Sequence, residues 1–251
     1  MQNQFDPRTR TTGFGPAVSV GVPSAARDAG LRSYMLKVYN YMASGVLLTG
    51  IVAMLFANSS LINLVANPAT GQPTLLFWVV LFAPFGIVLA LSWGINRISA
   101  ATAQALFWVF AGLIGVQFST LFLVYTGVSI AQTFFAVSAG FLGLSLYGYT
   151  TKRDLSAFGT FLIIGLVGVI VASLVNMFLH SGPLGLVISV LGVLIFAGLT
   201  AWDTQKTKAM YSYVAGTPDE GRVKIMAALN LYLDFINMFL FILRLFGSNR
   251  N

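Results

Sequence analysis

Three stretches of this chain, residues 38–96, 98–151 and 155–202, contain no Lys, Arg, Asp or Glu. Charge is that sparse nowhere in an ordinary soluble domain, where about a quarter of residues are charged. Only 8% of this chain is charged and 57% is hydrophobic, which excludes a soluble globule. A bilayer crossing takes about 20 apolar residues, so each stretch holds two crossings. Each also has a polar or Gly/Pro break near its middle: residues 58–74, Thr126-Gly127, and His180-Ser181-Gly182-Pro183. Three helical hairpins result, and one further apolar segment follows at residues 225–243.

The expected architecture is all-α and polytopic, with seven transmembrane helices. The expected spans are residues 38–57, 75–95, 105–125, 129–149, 158–179, 184–202 and 225–243. Residues 34–251 form the membrane domain. Residues 1–33, rich in Gly, Pro, Ser, Thr and Arg and without apolar periodicity, read as a flexible tail. The hairpins place Arg8, Arg10, Arg27, Arg32, Lys37, Arg97, Lys152, Arg153, Lys206, Lys208, Arg222 and Lys224 on one side. The positive-inside rule makes that side the cytoplasm, with the N-terminus there, for a multi-pass membrane protein. Arg244 and Arg250 lie opposite if helix 7 crosses fully. A re-entrant helix 7 is the competing reading, because it returns both arginines to the positive side.

With no cysteine and the single histidine His180, thiol chemistry and a histidine metal cluster are excluded, and no cofactor is expected. The basic residues form short groups instead of a continuous stripe, so nucleic acid is not a partner; the lipid bilayer is. Thr217-Pro218-Asp219-Glu220 has the pattern of a helix start, with Thr217 as cap and Pro218 at the first helical position. Ala136 with Gly140, Gly168 with Ala172 and Gly185 with Ser189 are small pairs four apart, suited to close helix packing. Pro84 should kink helix 2.

Charge inside the membrane is the candidate chemistry. An aspartate at a helix centre costs about 2.5 to 3.5 kcal/mol on insertion scales, and such residues face the bundle interior. Asp234 lies ten residues from Lys224 and ten from Arg244, about 15 Å from each. Asn230, Asp234 and Asn237 follow the i, i+4, i+7 rule and form one polar face. Asp203, within Ala201-Trp202-Asp203-Thr204-Gln205, stands above Thr200, Leu199, Phe196, Gly192 and Ser189, a face with several small or hydroxyl residues. Its alternative is an interfacial aspartate in water near Lys206. Axial counting puts Asp203 at the boundary and Asp234 near the middle, about 10–15 Å apart in depth.

Arg97, above Gly94, Ala90 and Gly86, is either a topology determinant or an ion-pair partner that latches one carboxylate. If the two carboxylates meet in a low-dielectric site they cannot both ionise cheaply, so they share a proton and titrate as one unit. Separation, Arg97 or a hard cation such as Ca²⁺ then relieves the repulsion when that proton is lost.

Gly148-Tyr149-Thr150-Thr151-Lys152-Arg153-Asp154-Leu155-Ser156, Trp202-Asp203-Thr204-Gln205, and Leu231-Tyr232-Leu233-Asp234-Phe235-Ile236-Asn237 continuing to Leu243-Arg244-Leu245-Phe246-Gly247 together resemble the Bax-inhibitor-motif membrane family. The resemblance covers nearly everything after the tail. It implies a seven-helix bundle with helix 7 central, a pH-responsive aspartate pair at Asp203 and Asp234, and a passive calcium leak without enzymatic activity in a bacterial-type inner membrane. It also implies that Arg97, at the end of helix 2, partners the pair. Some relatives carry a glutamate within helix 2; this chain has none there.

Two other functions compete with the leak. A membrane-anchored chain with a cytoplasmic tail can engage a membrane protease or quality-control complex, and some bacterial members of the family are regarded as modulators of such a protease. An intramembrane aspartyl protease also uses aspartates on two late helices, but its Gly-x-Gly would fall where this chain has Leu231-Tyr232-Leu233.

Overall fold

The computed structural model describes residues 24–67, 70, 72–94 and 97–250. Among them are seven helices long and apolar enough to cross a membrane. They are α1 (Ser24–Ala57), α2 (Leu75–Gly94), α3 (Ala100–Phe118), α4 (Gly127–Thr150), α5 (Ser156–Leu179), α6 (Gly182–Val214) and α7 (Glu220–Phe246). A single helical turn, Leu121–Val124, extends α3, and a 3-10 turn, Ser60–Leu64, lies between α1 and α2.

Helix boundaries follow local chemistry. The Ser99, Thr126 and Ser181 hydroxyls accept N–H groups from the first turns of α3, α4 and α6, satisfying donors that a helix start leaves free. His180 ends α5 in the left-handed conformation, φ 51°, where its N–H reaches the Asn176 carbonyl. That is a helix-cap role of the kind glycine or asparagine more often fills.

The packing order is set by α7. It lies against α6, α1, α4 and α3, while α2 packs mainly on α3 and α5 mainly on α6. Of the most apolar stretch of α7, 61% is buried inside the bundle, against 11% for α5, so α7 is central and α5 faces lipid. Three buried groups fasten α7 to α1 and α3: Thr49 donates to the Ala111 carbonyl at 2.8 Å, and the Tyr232 hydroxyl lies 2.6 Å from Thr49 Oγ1. Since Thr49 spends its one proton on Ala111, Tyr232 is the donor.

Helix 7 crosses fully. At 27 residues it is about 40 Å long, more than the hydrocarbon core requires. Its end is pinned beside the α3–α4 turn, where Thr126 N–H donates to the Ser248 carbonyl at 3.0 Å and Arg250 N–H to that of Val124 at 2.8 Å. Because α3 and α4 meet at the end opposite the Lys/Arg groups, the re-entrant reading fails.

Four expectations change. Helix α1 begins at Ser24, so residues 24–33 are helical instead of tail, and residues 1–23 lie outside the described residues. The added turns are rich in good helix formers, and the Tyr34 ring packs against that of Tyr211 of α6, tilted by 46° with centroids 5.3 Å apart. Helix α6 runs on to Val214, past the expected end at residue 202, because Lys206 and Lys208 lie on its own surface. Helix α7 starts at Glu220: the Thr217 hydroxyl donates to the Val214 carbonyl and closes α6 instead of capping α7. Finally, a Cβ at Gly140 or Gly168 would meet open space, so those small residues face outward, and Gly86 and Ala90 are exposed. Pro84 is buried within a continuous α2.

Candidate functional site

Extension of α6 decides where the aspartates meet. Asp203 lies about three turns inside the Val214 end of α6, and Asp234 about four turns inside the Glu220 start of α7. The helices are joined by a short loop and run antiparallel, so both carboxylates reach nearly the same depth. Their side chains come within hydrogen-bonding reach of one another. The expected gap in depth arose from ending α6 too early.

Asp234 is 4% exposed, and among the described residues its Oδ2 has no hydrogen-bond partner. Asp203 is half-buried, with the Lys206 charge acting on it from one turn along α6. The Lys206 ammonium itself is exposed and sits 4.9 Å over the Trp202 ring. The residues below Asp203, namely Ser189, Gly192, Phe196, Leu199 and Thr200, are all buried. Asn230 and Asn237 are half-buried, and Asn237 Nδ2 donates to the Leu233 carbonyl at 2.8 Å.

Helix α4 completes a polar lining that sequence reasoning missed. Its buried face carries Ser129, Thr133 and Ser145 at multiples of four, with Ser129 at the far end, where its Oγ accepts the Ser248 N–H, and Ser145 one turn before the Gly148 contact with Ala201. Helix α6, packed against it, buries Thr200, Thr204 and Thr207 toward its Val214 end. Ser145 Oγ is buried without a partner among the described residues, like Asp234 Oδ2. The four-residue spacing of hydroxyls within an otherwise apolar helix was the available signal.

Two of the sequence motifs prove to be halves of one clamp. Gln205 Oε1 accepts the Leu155 N–H at 2.9 Å, and its Nε2 donates to the Arg153 carbonyl at 2.7 Å. Lys208 donates to the Tyr149 carbonyl at 2.7 Å and lies 4.9 Å over that ring. A Cβ on Gly148 would collide with the Ala201 backbone carbonyl, and one on Gly159 with the Trp202 ring. Both glycines are needed because α4 and α5 press against α6 on either side of Asp203.

A cavity of about 390 Å³ opens toward the Lys/Arg-rich end and reaches Asp203. Its walls include Lys206, Asp219, Arg222 and Asn230. Arg222 pairs with Asp219 and donates to the Ile98 carbonyl at 3.2 Å, tying the α2–α3 turn to the start of α7. Arg97 is placed differently from the expected latch. It is exposed in that turn, and among the described residues its side chain makes no ion pair with either aspartate. Arg222 is the arginine that shares a cavity with Asp203.

Among the described residues no cluster of three or more His, Asp or Glu side chains could hold a metal ion. Asp203, Asp234 and Asn230 do supply oxygens of the kind a hard cation accepts. The arrangement suits passage of a cation or storage of a proton better than tight retention of a metal.

The family model described as "Inhibitor of apoptosis-promoting Bax1" matches residues 31–251. The chain belongs to the Bax1-inhibitor family. An uncharacterized protein of Rickettsia prowazekii is 50% identical over 226 residues, covering 89% of this chain and 93% of its own. An uncharacterized protein of Caulobacter vibrioides is 42% identical over 245 residues, with 95% and 97% covered. The Escherichia coli K12 protein named inner membrane protein YbhL is 43% identical over 224 residues, with 88% and 94% covered. With its seven candidate spans, this Bax1-inhibitor family member is a multi-pass inner-membrane protein.

Proposed function

We propose that this Bax1-inhibitor family protein is a non-enzymatic, pH-sensitive leak for cations, with calcium the expected ion, gated by Asp203 and Asp234. The observation that carries the reading is the meeting of the two carboxylates at one depth, beneath a cavity that reaches Asp203 from the Lys/Arg-rich end. Two carboxylates held together out of water hold one proton between them, because like charges in contact cannot both ionise cheaply. The conformer with the pair in contact is then the protonated one. Losing the proton as pH rises sets up a repulsion that separation of α6 from α7 relieves, and a hard cation entering between the carboxylates relieves it as well. The hydroxyl-bearing faces of α4 and α6 give such an ion polar surface beyond the pair.

By the positive-inside rule the cavity opens on the cytoplasm. Arg97 is assigned as the latch of a second conformer, in which the α2–α3 turn swings in and pairs with a freed carboxylate. Arg222, which lines the same cavity as Asp203, is its rival for that role.

The test is calcium flux into liposomes containing the full-length chain, followed across pH. Asp203→Asn with Asp234→Asn should abolish the pH dependence; flux that keeps its pH profile in the double variant sinks the reading. Arg97→Gln and Arg222→Gln then separate the two candidate latches, since only loss of the true latch moves the profile.

A further inference from the structure

A second cavity, of about 590 Å³, lies at the Lys/Arg-rich end between α1, α3 and α7, away from the aspartates. Its rim carries Lys37 of α1 and Lys224 of α7, and its walls carry Asn40, Ser44 and Gln104. Lys37, Asn40 and Ser44 are exposed, so the cavity opens on the outer surface of the bundle. The described contacts give the side chains of Lys37, Asn40 and Ser44 no hydrogen bond or ion pair within the protein, and Gln104 uses only its oxygen, accepting the Tyr41 hydroxyl at 3.4 Å. Free donors from two helices therefore converge on one space.

Backbone polarity adds to them. The cavity touches Ala100 and Ala101 in the first turn of α3 and Gly221 in the first turn of α7, where unpaired N–H groups carry partial positive charge. A Cβ at Gly221 would crowd Ala100, which is how the two helix starts come so close. One negative charge opposes them. Glu220 accepts from Lys224 at 3.0 Å and also lies near Lys37, so the two lysines keep a net charge of one over the carboxylate.

Depth tells what kind of anion fits. From Lys37 to Ser44 the cavity follows α1 for about 10 Å, and from Ala100 to Trp108 it follows α3 for about 12 Å. It thus passes from a charged rim to the Tyr41 and Trp108 rings, whose centroids are 6.3 Å apart. Aromatic rings of this kind favour the level of lipid headgroups. A free phosphate needs the rim alone, whereas a phospholipid uses both zones.

We infer that this cavity is a binding site for the phosphoryl headgroup of an anionic phospholipid, with Lys37 and Lys224 on the phosphate and Tyr41 and Trp108 beside the glycerol region. Basic pockets between transmembrane helices bind such headgroups by charge and hydrogen bonding together.

The experiment is native mass spectrometry of the full-length protein released from mixed micelles of phosphatidylglycerol and phosphatidylcholine. Wild-type protein should retain phosphatidylglycerol several-fold over phosphatidylcholine; equal retention overturns the site without any variant being needed. Lys37→Gln with Lys224→Gln should bring retention down to the phosphatidylcholine level. Lys37→Gln alone, which breaks no internal ion pair, should lower it in part and guards against misfolding of the double variant. Lys152→Gln with Arg153→Gln removes the same charge elsewhere at that end and should leave retention unchanged; an equal loss there means general charge attraction and overturns the site. Displacement of the lipid by inorganic phosphate at millimolar concentration would assign the pocket to a soluble anion and overturn the lipid assignment.

Discussion

Helices α5 and α7 are both apolar enough to span a bilayer, yet they answer different demands. Helix α5 buries only Gly159, Leu162 and Val169 and turns Phe161, Ile164, Val167 and Val171 outward, so its side chains are chosen by lipid. Helix α7 is enclosed by four neighbours, and there a carboxylate, an amide pair and a tyrosine hydroxyl are accommodated. The difference lies in partners more than in hydrophobicity. Asp234 has the Asp203 side chain within reach, and Tyr232 has Thr49, whereas nothing on the outer face of α5 can meet a polar group.

The sharpest way to break this comparison is to put an aspartate where α5 meets lipid. Val167 is mid-helix and 56% exposed, so Val167→Asp should cost about 3 kcal/mol in insertion, read as loss of protein from the membrane fraction and a lowered melting temperature. If it is tolerated as well as Asp234, enclosure is not what accommodates the natural carboxylate. A steric version of the same contrast uses glycine. Gly148→Ala drives a methyl into the Ala201 carbonyl and should destabilise by about 1–3 kcal/mol, since backbone must move. Gly168→Ala on α5 meets open space and should stabilise by about 0.5–1 kcal/mol through helix propensity. Thermal unfolding in detergent measures both, and equal effects would mean that the α4–α6 contact is looser than described. Smaller again, Gln205→Ala frees the Leu155 N–H and the Arg153 carbonyl near water and should lower stability by about 1 kcal/mol.

The same contrast explains what could be read from sequence. Lipid-facing helices announce themselves, because a bilayer forbids charge over about 20 residues, and so the hairpin pattern and all seven spans were legible. Ends that leave the lipid were not. Lys206 and Lys208 look like loop residues, but they are the continuation of α6, and that continuation brings Asp203 level with Asp234. The polar face of Asn230, Asp234 and Asn237 was readable from helical period alone. The partner of that face was not, since no periodicity fixes the rotation of one helix against another. Arg97 illustrates the limit: its place in the sequence says which end it occupies, but the turn that holds it points the side chain to solvent. Arg222, and not Arg97, lines the cavity that reaches Asp203, because the start of α7 folds back beside the end of α6.

Asp154 extends the comparison to water and gives the smallest effect. It lies in the solvated turn between α4 and α5, where its carboxylate accepts the Ser156 N–H at 2.9 Å. The Ser156 side chain and backbone, acting as donors, hold its carboxyl below the usual aspartate range. A carboxyl lowered in the folded state stabilises that state above its unfolded value, near 4, and the stabilisation is lost as pH falls through the folded value. Asp154→Ala should therefore lower the melting temperature slightly and by a constant amount from neutral pH down to about 4, with the difference shrinking below that. Melting curves of the two proteins across pH measure this. A difference that instead changes between pH 6 and 8 would mean that Asp154 answers to a titrating neighbour, and that the pH response proposed for the two aspartates enclosed by α6 and α7 is not confined to them.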